Sequence, residues 1–157
     1  MIHIMKKNKI RPIAIGIFLH NKKVLVFEGF DEVKRKAFYR PLGGAIKFGE
    51  TGAEALRREI QEEIGNEIED IVFLKMIENL FTCNGQAGHE IVLVYSGRLK
   101  GDDIYSNLEF TGHEDDGSEI KVKWVDISYF HDNPAMLVPE ELLNLLQHLI
   151  DSTGQRE

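Results

Sequence analysis

The chain has 157 residues, with 19 Lys+Arg against 26 Asp+Glu for a formal net charge of −7 and a hydrophobic content of 43%. Such a length folds as one domain, residues 1–157, and buries roughly two-thirds of the unfolded surface, enough to dispense with disulfides or structural zinc. The negative charge argues against a broad basic surface for a nucleic-acid polymer, leaving room for a small phosphorylated ligand if cations mediate the contact.

The single cysteine, Cys83, cannot form an intramolecular disulfide, so a reducing, cytoplasmic location is expected. The longest apolar stretches, such as Ile13 to Leu19, fall far short of the roughly 18–20 residues of a membrane span. The lysines of the first ten residues follow a very short apolar run, the wrong order for a secretory signal.

In chain order, Ile10–His20 and Lys23–Glu28 are apolar runs broken at Asn21-Lys22, which predicts a β-hairpin. A charged loop follows over Gly29–Lys36, then a short strand at Ala37–Arg40, ended by Pro41-Leu42-Gly43-Gly44. The Thr51-x-x-Glu54 spacing is a capping box opening a helix from Gly52 to Ile64, with Gly65 as a left-handed stop. Ile68–Phe81 and Glu90–Leu99 have strand composition and flank a turn-rich Cys83–Gly88. Gly101–Gly117 reads as one polar loop, and Ile120–Ile127 alternates as a half-buried strand. Pro139 opens a last helix through Ile150 whose apolar face carries Leu142, Leu143, Leu146, Leu149 and Ile150. Strands and helices mixed in this order define an α/β class, a sheet covered by helices.

A helical wheel places Glu59, Glu62 and Glu63 on one sector of the central helix, beside an apolar stripe of Ala53, Leu56, Ile60 and Ile64. Like charges four residues apart cost a helix a few tenths of a kcal/mol, a liability unless a cation binds them. Hard divalent ions with oxygen ligands suit such a cluster, and Mg²⁺ uses few carboxylates plus water and substrate phosphates. Helix composition alone favours reading these glutamates as a solvated face balanced by Arg57 and Arg58. The glycines in front of the helix favour the first reading, because Gly43-Gly44 and Gly49 let a main-chain carbonyl, that of Gly43, come close to a metal. Glu50 adds a carboxylate at the helix entrance, where the helix dipole also favours it.

The segment Gly44-Ala-Ile-Lys-Phe-Gly-Glu50, followed through Arg58-Glu59-Ile60-Gln61-Glu62-Glu63-Ile64-Gly65-Asn66, resembles the Nudix box G-x5-E-x7-R-E-U-x-E-E-x-G-U, where U is a bulky aliphatic residue. Every defined position matches except Asn66, which lies beyond the helix cap. Phe38–Gly44 and Gly88–Tyr95 are similar to segments of a bacterial Nudix subgroup. The resemblance implies a Nudix-type α/β/α sandwich, a mixed sheet between helices. It also implies Mg²⁺- or Mn²⁺-dependent hydrolysis of the pyrophosphate bond in a nucleoside diphosphate linked to another moiety. Carried onto this chain, Glu59, Glu62 and Glu63 are metal ligands together with the Gly43 carbonyl, Arg58 holds the carboxylates in position, and Glu50 supports the helix entrance.

The general base is open between Glu59 and an acid of the later loop, among Glu109, Glu114, Asp115, Asp116 and Glu119; Glu114, flanked by Gly112 and Gly117, is preferred. Arg40 is a candidate either for binding phosphate or for a surface salt bridge, and Glu90, on one strand face with Val92 and Val94, reads either as a carboxylate in contact with metal or substrate or as a strand-end residue open to water. Phe27, Phe38, Phe48 and Phe81 are available to stack on a base, though core roles are commoner; His89 and His113 lack metal-ligand spacing. The expected partner is a small nucleoside diphosphate derivative, not a nucleic-acid polymer or a membrane, and a homodimer is left open. The alternative reading is a non-catalytic Nudix-like nucleotide-binding regulatory domain, against which the intact glutamate set stands.

Overall fold

The computed structural model describes residues 9–154. Its strands form two sheets. The first contains β1 (Ile10–Ile17), β5 (Gly43–Ala45), β6 (Ile68–Cys83) and β7 (Gln86–Leu99) in the order β5-β1-β7-β6, with β1 parallel to β7 and the other neighbours antiparallel. The second is built on β3 (Lys23–Asp31), which pairs antiparallel with β2 (Leu19–His20), β4 (Lys36–Pro41) and β9 (Glu119–Asp126); β8 (Glu109–His113) borders β9. The helices are α1 (Gly52–Ile64), α2 (Asp103–Ser106), α3 (Ile127–Asp132) and α4 (Leu142–Gly154), with a 3₁₀ turn at Pro134–Met136.

The central strands are covered on both faces, which explains why their sequences run apolar without interruption. On one side Ile13, Ile15, Ile17, Val92 and Val94 join Val24 and Val26 in a core closed by Phe130, Leu137, Leu142 and Leu146. On the other, Ala14, Tyr95, Leu25 and Trp124 pack against Ala55, Leu56 and Ile60 of α1. Helices therefore flank the sheets as in an α/β/α sandwich. No helix among the described residues is long and apolar enough to cross a membrane.

Three sequence expectations change. The predicted hairpin is split: only Leu19–His20 turns back on β3, whereas Ile10–Ile17 joins the other sheet, paired with β5 and β7. Period-two patterning records which face is buried, not which strand lies alongside. The polar loop Gly101–Gly117 contains α2 and β8, the latter an edge strand on which only Gly112 is fully buried, so its composition stays polar. The last helix begins at Leu142 rather than Pro139; Pro139 to Glu141 form a turn in which the Leu142 N–H donates to the Pro139 carbonyl at 3.1 Å.

Candidate active site

The helix α1 forms where the capping signals place it. The Glu54 N–H donates to Thr51 Oγ1 at 3.1 Å, the Thr51 N–H donates to Glu54 Oε2 at 3.3 Å, and Gly65 closes the helix at φ 62°. Its buried positions are Gly52, Ala55, Leu56, Glu59, Ile60 and Glu63, so two carboxylates sit among the apolar contacts while Glu62 stays exposed.

The strand β5 brings the backbone against these acids. The Gly43 N–H donates to Glu63 Oε1 at 3.1 Å. A Cβ on Gly44 would stand 2.5 Å from the Glu59 carboxyl carbon, and one on Gly43 would stand 2.0 Å from the Ala14 carbonyl oxygen, so both positions require glycine for close approach. The same holds at Gly112 of β8, whose missing side chain leaves room for the Glu63 carbonyl, 2.8 Å from where a Cβ would be.

Arg58 ties the loop to the helix. Its Nε and Nη2 donate to the two oxygens of Glu50 at 3.2 and 2.7 Å, Nη2 also donates to the Ala45 carbonyl at 2.9 Å, and Nη1 donates to Glu59 at 2.9 Å and Glu62 at 3.3 Å. Glu50 also accepts from the Lys47 N–H at 2.8 Å. The Arg58 hydrogen bonds, then that of Lys47, hold the Glu50 carboxyl down at about 2.

The other acids shift the opposite way. Burial pushes Glu63 well above the usual carboxylate range, reinforced by the charges of Glu59 and Glu114. Burial also raises Glu59 against the lowering effect of Arg58, and raises Glu62 with help from Asp115. Ligand oxygens of Glu59, Glu62 and Asp115 lie within 4.8 Å of one another. Three hard oxygen donors at this spacing, with Glu59 and Glu62 disfavoured as bare anions, fit a small divalent cation.

Asp115 comes from the loop between β8 and β9, closed by the Glu114 N–H to the Ser118 carbonyl at 2.8 Å and the Gly117 N–H to the Glu114 carbonyl at 2.9 Å. Asp116 in the same loop accepts from Ser118. Lys47, Glu62, Glu114, Asp115 and Gly117 line an open cleft of about 480 Å³.

The sequence-predicted site residues thus divide. Glu59, Glu62, Glu63, Arg58 and Gly43 converge at α1, and Glu114 lines the adjoining cleft. Arg40 and Glu90 meet each other instead: Arg40 Nη2 donates to Glu90 Oε1 at 2.9 Å, with Asn79 Nδ2 at 3.5 Å, and neither lines that cleft. Glu109 lies on β8 and Glu119 on β9. The Phe38 and Phe81 rings fill the space beside Gly29 and Gly88, Phe27 packs on the core, and Phe48 stands fully exposed. His89 approaches Glu78 at 4.0 Å, and His113 ends β8. Sequence reasoning underrates two residues. Asp115 is one of five acids in or beside its loop, and Lys47 lies inside the variable part of the motif; only the folded chain, which brings both to the lining of one cleft, separates them from their neighbours.

A mixed α/β/α sandwich with a glycine-bordered acidic helix defines a hydrolase of the Nudix type. The family model described as the NUDIX domain matches residues 10–146, and the chain belongs to that family, that of the Nudix pyrophosphohydrolases. Among solved structures it is similar to a NUDIX hydrolase from Nitrosomonas europaea, at 20% identity, 90% coverage of each chain and a TM-score of 0.63. An ADP compounds hydrolase aligns at 15% identity over 94% of this chain and 77% of that one, with a TM-score of 0.63. MutT from the fish pathogen Aliivibrio salmonicida and Vibrio cholerae aligns at 18% identity, over 92% of this chain and 99% of that one, with a TM-score of 0.58. No curated protein sequence matches this chain.

Proposed function

We propose that residues 1–157 act as one divalent-metal-dependent pyrophosphohydrolase, adding water across the pyrophosphate bond of a nucleoside diphosphate linked to another moiety. The observation that carries this reading is the convergence of Glu59, Glu62 and Asp115 within 4.8 Å on an α1 whose box residues are intact. Nothing in a purely ligand-sensing domain calls for such a repulsive set, which disfavours the regulatory alternative.

Glu59, Glu62 and Glu63, with the Gly43 carbonyl and Asp115, would hold Mg²⁺ or Mn²⁺; once bound, the ion supplies neutralisation of pyrophosphate charge and acidification of water. Arg58 fixes the positions of Glu59 and Glu62 while Glu50 holds its other edge. Glu114, on the cleft wall, accepts the proton of the attacking water, with Glu59 the alternative base. Arg40 offers the rest of its guanidinium to a substrate phosphate, and Glu90 acts through Arg40 by orienting it.

The partner is a small molecule rather than a nucleic-acid polymer or a membrane, as the acidic balance and the acidic cleft support. A homodimer would cover Phe73, Met76 and Leu80, which stand exposed on one face of β6, and sedimentation tests it. A cytoplasmic location fits the lone cysteine.

The test is a screen of nucleoside diphosphate derivatives with Mg²⁺ or Mn²⁺, read as phosphate released by a coupled phosphatase. Turnover that disappears with chelator is expected. Tight binding of a derivative without hydrolysis under any divalent ion would overturn the enzyme reading in favour of the sensor.

A further inference from the structure

Two hairpins that belong to different sheets meet at their tips. One is β3–β4, paired from Val26–Pro41 out to Asp31–Lys36; the other is β6–β7, paired out to Cys83–Gln86 and closed by Asn84 and Gly85 at φ 54° and 78°. Across the tips the Glu32 N–H donates to Asn84 Oδ1 at 2.7 Å, and Lys34 Nζ donates to the Thr82 carbonyl at 2.8 Å. A second link lies four residues further in along β4 and β7, where Arg40 donates to Glu90 at 2.9 Å. Between the two links the Phe38 and Phe81 rings lie over Gly29 and Gly88, each on its own hairpin.

The two links differ in strength. The inner one is a charge-assisted pair whose side chains are only 22% and 3% exposed. Both tip bonds are exposed to water, and in the closed arrangement Asn84 Nδ2 is buried without a hydrogen-bond partner, a cost that offsets part of what the bonds contribute. The β3–β4 tip keeps its own shape through Asp31, whose buried carboxylate accepts from the Val33 and Lys34 N–H groups. Each hairpin also keeps its ladder, so the tips can part as two intact hairpins in a small local opening. Arg40 is the cation assigned above to a substrate phosphate, and it is largely covered. Access to it depends on the junction that gives most easily.

We propose that the tips of β3–β4 and β6–β7 form a latch that parts to admit a phosphate-bearing ligand to Arg40 and closes once that phosphate is held. A phosphate on the unused edge of the guanidinium draws β4 toward β7, which brings Glu32 and Lys34 back onto Asn84 and Thr82. This inference rests on the assignment of Arg40 to a phosphate under the proposed function, and not on turnover.

Cys83, the single cysteine, reports the latch. It ends β6 partly covered, burial raises its thiol, and the charges of Asp31, Lys34 and Arg40 reach it. The experiment is the rate at which a disulfide reagent labels Cys83 in the full native chain. Lys34→Met is expected to speed labelling about fivefold, as for loss of one exposed hydrogen bond, with the urea midpoint unchanged. Loss of the lysine charge alone would raise the thiol further and slow the reaction, so acceleration reports opening. Asn84→Gly keeps the left-handed turn and is expected to speed labelling less, because it also removes the orphaned donor. Inorganic pyrophosphate with Ca²⁺ should slow wild-type labelling about fivefold, a protection that shrinks in Lys34→Met. The proposal is overturned by unchanged labelling in Lys34→Met, by acceleration that tracks a fall in the urea midpoint, or by pyrophosphate protection that is absent or equal in the two proteins. Latch-dependent protection in a chain that hydrolyses nothing would sustain the latch and sink the hydrolase reading. Turnover without protection would do the reverse.

Discussion

Four acids are buried among the described residues, and they fall into two pairs of opposite character. Asp31 and Glu90 are neutralised by their surroundings: Asp31 accepts the Val33 and Lys34 N–H groups at 3.0 and 2.9 Å, and Glu90 is bridged by Arg40 at 2.9 Å. Glu59 and Glu63 are buried beside each other, with Arg58 reaching only Glu59 and a single backbone N–H reaching Glu63. A buried carboxylate without compensation is costly, and a fold retains one mainly where something outside the chain completes it. The first pair is compensated by the polypeptide; the second is compensated only in part.

That contrast breaks most sharply at Glu63. Glu63→Gln keeps the shape and the Gly43 hydrogen bond but removes the charge, and hydrolysis is expected to fall by roughly a thousandfold or more at saturating Mg²⁺. In chelator the same variant should melt higher than the wild type, since it relieves desolvation and the repulsion from Glu59. Unchanged turnover, or a lower melting temperature in chelator, would place Glu63 with the compensated pair. Next come the loop acids. Glu114→Gln is expected to lower kcat by about two to four powers of ten with KM little changed, as for a lost proton acceptor. Asp115→Asn should instead raise the Mg²⁺ concentration needed for half-maximal rate, because its oxygen belongs to the Glu59–Glu62 group. Wild-type kcat in Glu114→Gln, with the large loss in Glu59→Gln, would move the base onto α1.

At the compensated pair the effect is on stability. Arg40→Met leaves Glu90 buried without its cation and should cost about 3 kcal/mol in urea unfolding, the low end of what a broken buried pair loses, because Arg40 is partly exposed. An unfolding midpoint within error of the wild type would show that Glu90 does not depend on Arg40. Mg²⁺ or Mn²⁺ should act only on the partly compensated set: at a hundredfold its dissociation constant an ion adds about 2.7 kcal/mol to stability. That gain should shrink in Glu63→Gln and persist in Arg40→Met.

The difference between the two pairs was only half legible in the sequence. The helix limits of α1 and its acidic sector follow from spacing alone, since Thr51, Glu54 and Gly65 act within one turn of themselves. The wheel groups Glu59, Glu62 and Glu63 without saying that Glu62 faces solvent while its neighbours are covered, because that depends on β5 and β8 lying across the helix through Gly44 and Gly112. Alternation puts Glu90 on one face with Val92 and Val94 but does not say whether that strand end is covered, because its partner sits 50 residues away on β4. The split of the first hairpin has the same origin: the β1–β7 pairing is parallel and distant in sequence, and no local pattern encodes it.

The smallest expected effect sets the Glu50–Arg58 clamp against the cluster it supports. The Glu50 carboxyl sits at about 2 in the folded chain against an ordinary 4.5, so the folded state holds the proton less tightly than the unfolded one. Its contribution to stability is therefore complete above about pH 5 and is lost as pH falls toward 2. Glu59, Glu62 and Glu63 are raised, so without metal their contribution has the other sign: stability declines as pH climbs through and above the usual carboxylate range, where these groups must ionise. Glu50→Gln should accordingly melt below the wild type in chelator at pH 7, with the gap closing as pH approaches 2. Glu63→Gln should show its advantage at pH 7 and lose it in acid. Melting curves of the two variants across this range are expected to converge on the wild-type profile in acid from opposite sides. A Glu50→Gln deficit that stays constant down to pH 2 would show that the clamp acts through packing of its side chain rather than through its charge.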